Sequence, residues 1–110
     1  MSLVEDNNVT NRRLHYELEH SVKQINRELI GEAAGTVSKE NFIQVAQMVA
    51  CLRARYLTSA LEMAKSSGKE CISTNAALEL KDLRVAFEEA LAVFEALEHA
   101  LRRGYFDFSG

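Results

Sequence analysis

Apolar residues recur along this chain at intervals of three and four in three separate stretches, and a glycine follows each stretch. Leu14, Leu18, Val22, Ile25 and Leu29 are spaced by four, four, three and four residues. At about 100° per residue these positions form one narrow stripe on a helix. The pattern predicts a first helix from Thr10 or Asn11, either a suitable N-cap, to about Ala34, with Gly35 just beyond it. A second helix is predicted from Ser38 as N-cap, with Glu40 in the first turn against the helix dipole, to about Ser66 before Gly68. The third begins after Ser73 or Thr74 and ends at Arg102, Arg103 and Gly104, where two cations meet the negative end of the dipole. No proline interrupts any of them.

The three patterns differ in width. On the second helix Phe42, Ile43, Val45, Ala46, Val49, Ala50, Leu52, Tyr56, Leu57, Ala60, Leu61, Met63 and Ala64 cover roughly 200° of the circumference, enough to meet helices on two sides. The third carries Leu80, Leu83, Phe87, Ala90, Phe94, Leu97 and Leu101, widened by Ala86, Leu91 and Val93. Short connections between long helices favour antiparallel neighbours, so the expected fold is an all-α, strandless, up-down-up bundle. One domain over residues 1–110 is expected, with residues 1–9 as a flexible N-terminus and 105–110 as an aromatic tail.

The wide arc of the second helix predicts association through a homodimer or a captured partner helix, with Val49, Arg53, Tyr56, Ala60 and Met63 at the contact. Ala46, Ala50 and Ala54, at intervals of four, would admit another helix at close range. Arg53 projects into the middle of this arc, where its guanidinium requires a partner; Glu98 or a carboxylate from another chain would serve. Tyr105, Phe106 and Phe108 supply a second candidate contact, or else fold back to cap the open end of the bundle.

Composition narrows the function classes. The formal net charge is −3, with 13 basic residues scattered among 16 acidic ones, which disfavours a phosphate-backbone groove. The polar N-terminal stretch and the lack of a long apolar run predict a soluble, cytoplasmic protein without a membrane partner. Cys51 and Cys71 form neither a disulfide framework nor a zinc site, and no metal or cofactor is expected.

His20 is the principal candidate for chemistry. It falls opposite the first helix's apolar stripe and shares its polar face with Arg13, Tyr16, Lys23, Gln24 and Arg27. The stretch His20-Ser21-Val22-Lys23 resembles the His-x-hydrophobic-Lys core of histidine phosphotransfer domains, which implies an all-helical module carrying a phosphoryl group on His20 beside Lys23. The spacing of Arg13 and His20 also resembles that in helical ribonucleases of the HEPN group, but the acidic charge balance offers no RNA groove. Glu17 and His20, with Glu95 and His99, have the spacing of bundle di-metal ligands but plot away from the apolar stripes. With no Gly-rich phosphate loop and no evident nucleophile and base pair, the leading expectation is a non-catalytic interaction or regulatory protein. The alternatives are a histidine phosphotransfer module and a small secretion or assembly chaperone that holds a client helix.

Overall fold

Three helices make up most of the computed structural model, which describes residues 3–110 and their side chains from Asn7 onward. In chain order the elements are α1 (Leu3–Ala34), β1 (Thr36–Ser38), α2 (Lys39–Ser67), α3 (Thr74–Arg103) and β2 (Asp107–Ser109). Two features depart from the sequence expectation. The first is the start of α1, which lies at Leu3, seven residues before Thr10; residues 1 and 2 lie outside the described region. Once a helix is nucleated, each added residue contributes a backbone hydrogen bond at little further cost, so the turns before Thr10 need no apolar stripe of their own. The chain also has strands: β1 and β2 pair as a two-stranded sheet, where none was expected.

The helix ends follow the predicted chemistry. Gly35 and Gly104 adopt positive φ of 65° and 71°, and the Gly35 N–H reaches back to the Gly31 carbonyl at 2.9 Å. Ser38 caps α2: its Oγ accepts from the Asn41 N–H at 3.2 Å, while the Asn41 carboxamide accepts from the Ser38 N–H at 2.9 Å. That reciprocal pair satisfies two otherwise orphaned donors, with asparagine in the role usually taken by Glu or Gln. At the start of α3 the Ser73 Oγ accepts from the Ala76 N–H at 3.1 Å, a one-way cap.

The chain separates into two compact units. One comprises the chain up to Val37 together with Ala100–Ser109; the other comprises Ser38–His99. In the second, α2 and α3 form an antiparallel hairpin. Phe42 meets Phe94 edge-on at 6.3 Å between ring centroids, and Tyr56 stacks on Phe87 at 6.5 Å, so contacts run in opposite directions along the two helices. Val49 and Ala90 are buried in this seam.

The first unit is held by the tail. Val37, Ala100, Tyr105 and Phe106 are its buried apolar residues, and Phe106 is only 4% exposed. Gly31 permits the docking: a β-carbon there would lie 3.2 Å from the Tyr105 carbonyl oxygen, so the tail backbone passes where any larger residue would crowd it. Arg27, one turn earlier, donates to the Gly104 carbonyl at 3.2 Å and to Asp107 at 2.6 Å. Both Arg27 and Gly31 lie on the side of α1 away from Leu18 and Ile25.

Candidate functional site

Because the tail docks on its polar side, α1 keeps its apolar stripe in solvent. Leu14, Leu18, Val22, Ile25 and Leu29 are between 52% and 65% exposed, and Tyr16 and Val9 are exposed as well. Five large aliphatic side chains in a row, spanning about 24 Å by helix rise, form an apolar surface that isolated exposed leucines do not.

The residues expected at a helix 2 contact are placed differently. Val49 is buried, and Tyr56, Ala60 and Met63 are half-buried in the hairpin with α3. Arg53 is exposed and finds its partner within the hairpin, its guanidinium lying 5.0 Å from the centroid of the Phe87 ring. A cation over an aromatic face keeps one side in water, which explains how the charge fits an apolar arc without an ion pair to Glu98. What remains open on α2 is the other flank of the arc: Ile43, Leu57 and Leu61 are exposed, as are Ala46, Ala50 and Ala54. In the tail, Tyr105 and Phe106 are buried and Phe108 is exposed.

His20 lies on the polar side of α1, in a setting the sequence showed only in part. His20 and Lys23 line two adjoining clefts, one of about 310 Å³ completed by Gln24, Arg27 and Gly104, the other of about 210 Å³ completed by Tyr16, Glu19 and Arg103. The helical neighbours of His20 follow from spacing, but Arg103 and Gly104 arrive from more than 80 positions away. Glu19 is engaged by the His15 Nε2 at 3.3 Å. Gln24, where phosphotransfer domains usually carry a small residue after the lysine, stands at the wall beside His20.

A larger cavity of about 520 Å³ lies beside the α2–α3 connection, lined by Ser59, Glu62, Met63, Cys71, Ile72 and Glu79 among others. Its lining offers hydroxyls and two carboxylates but neither a cation for an anionic substrate nor an imidazole to activate a nucleophile. Cys51 and Cys71 are free and exposed. Among the described residues, no three His, Cys, Asp or Glu side chains converge on a metal position. No described helix is long and apolar enough to cross a membrane. The chain matches no protein-family model, no curated protein and no solved structure.

Proposed function

We propose that this chain is a non-catalytic helical interaction protein that works as a homodimer, with α1 as the contact. The exposed stripe Leu14, Leu18, Val22, Ile25 and Leu29 carries this reading. A two-fold contact must present the same patch from both copies, so the patch must be complementary to itself. The stripe meets this requirement: with Val22 on the axis, Leu14 lies opposite Leu29 and Leu18 opposite Ile25 of a second, antiparallel copy. Pairing this way removes from water the aliphatic groups that the chain itself leaves exposed, each contributing on the order of 1 kcal/mol or more. The up-down-up bundle, in which α1 packs along the chain's own hairpin, competes for the same stripe. So does a helix of another protein.

Val22→Glu separates these arrangements, because it sets two carboxylates against each other on the axis. The wild type is expected to sediment as a dimer, and Val22→Glu as a monomer of unchanged helicity by circular dichroism, with dimer affinity reduced at least about a hundredfold. Ala60→Glu, half-buried in the hairpin, should instead cost helicity and thermal stability. A monomeric wild type at high concentration, or a Val22→Glu chain that loses stability without any change in mass, places the stripe in the chain's own core and overturns the dimer.

A further inference from the structure

The clefts around His20 collect more cations than their one carboxylate, Glu19, balances. Arg27 pairs with Asp107 and donates to the Gly104 carbonyl, and Glu19, whose carboxylate lies 3.3 Å from the His15 Nε2, is the one acidic residue of the lining. Lys23 and Arg103 have no ion pair among the described residues, yet they line the same concave surface, with His20 between them and the Tyr16 hydroxyl and Gln24 carboxamide at its edges. An anion seated between them gains an attraction to each.

We propose that this surface binds a compact phosphate-class dianion. The donors are of complementary kinds: Lys23 offers a point charge, Arg103 a planar fork, and His20, Gln24 and Tyr16 further N–H and O–H groups. Such a set suits a tetrahedral oxyanion, whose oxygens point in several directions, better than a flat carboxylate, which a single arginine fork saturates. Free phosphate and a phosphorylated side chain share this chemistry. The inference is independent of α1 pairing, since His20, Lys23 and Gln24 lie opposite the Leu18 stripe.

The test is a heteronuclear NMR titration of the full chain with inorganic phosphate at constant ionic strength, repeated with O-phosphoserine and with chloride alone. Phosphate should produce saturable shifts confined to the His20 ring, Lys23 and Arg103. Lys23→Ala and Arg103→Ala should each weaken binding about tenfold, while His15→Ala, outside the clefts, leaves it unchanged. Tighter binding of O-phosphoserine than of inorganic phosphate identifies a phosphorylated side chain as the ligand, and the reverse order identifies the free anion. Val22→Glu should bind as the wild type does, whichever way the dimer test falls. Shifts that fail to saturate at tens of millimolar, that chloride reproduces, or that persist in a Lys23→Ala, Arg103→Ala double variant overturn the proposal.

Discussion

Replacing Phe106 with alanine should release the tail from α1 while leaving the α2–α3 hairpin folded. Phe106 is 4% exposed, the lowest value among the described apolar residues, and the other buried apolar residues of its unit are Val37, Ala100 and Tyr105. Truncating a buried phenylalanine costs about 3–5 kcal/mol, and the low end applies where so small a core can collapse into the space. A loss of about 3 kcal/mol shifts the docked-to-released ratio roughly 150-fold. The polar clamp is much weaker. Arg27 and Asp107 are largely exposed, with side chains 44% and 70% accessible, so Arg27→Met, which keeps the aliphatic stem, should cost only about 0.5 kcal/mol, roughly a twofold shift. Native-state hydrogen exchange reads both directly. In Phe106→Ala the amides of Thr36–Ser38 and Asp107–Ser109 should lose nearly all protection, those around Val49 and Ala90 should keep theirs, and Arg27→Met should resemble the wild type. If Arg27→Met frees the strands as fully as Phe106→Ala does, the tail is held by its ion pair and the reasoning from burial is wrong.

Two further outcomes follow from the helix ends and the hairpin seam. Ser38→Ala removes one half of the reciprocal cap on α2 and should lower stability by about 1 kcal/mol in urea denaturation, with Ser38→Gly losing only a few tenths; an unchanged midpoint for Ser38→Ala would show that the cap contributes nothing. Arg53 and Phe87 should couple by about 0.5 kcal/mol in a double-mutant cycle of Arg53→Ala and Phe87→Leu, and strictly additive effects would mean that the guanidinium lies over the ring without being attracted to it.

Much of the fold was legible in the sequence because local chemistry sets it. Gly35, Gly68 and Gly104 end helices where their positions suggested, Ser38 caps α2, and the Phe42, Phe87 and Phe94 positions face the hairpin seam. The misses share a different cause. The α1 start at Leu3 adds turns without an apolar stripe, and periodicity is silent there. The strands are three residues each, too short to alternate, and they are defined only by pairing with a segment some 70 positions away. The same non-local docking decides the site. Sequence placed His20 and Lys23 on one polar face, but the arrival of Arg103 and Gly104 there, and the burial of Tyr105 and Phe106, depend on where the tail goes. Arg53 was visible as a charge in an apolar arc, while its aromatic partner required the register of α2 against α3.

The clamp that closes on α1 joins groups 77 and 80 positions apart, whereas the turn between α2 and α3 brings its first contacts together across a handful of residues. Closing a long loop costs entropy before any contact compensates it, so the hairpin gains its stabilisation early and the tail contact late. On an emerging chain this reverses the order of synthesis: α1 and β1 are made first and are completed last, when the segment carrying Phe106 is free to return. Until then β1 has an unpaired edge, which is prone to the wrong partner. The interval between finishing α1 and docking the tail is thus the stage at which β1 is open to misassembly, and the burial of Tyr105 and Phe106 ends it.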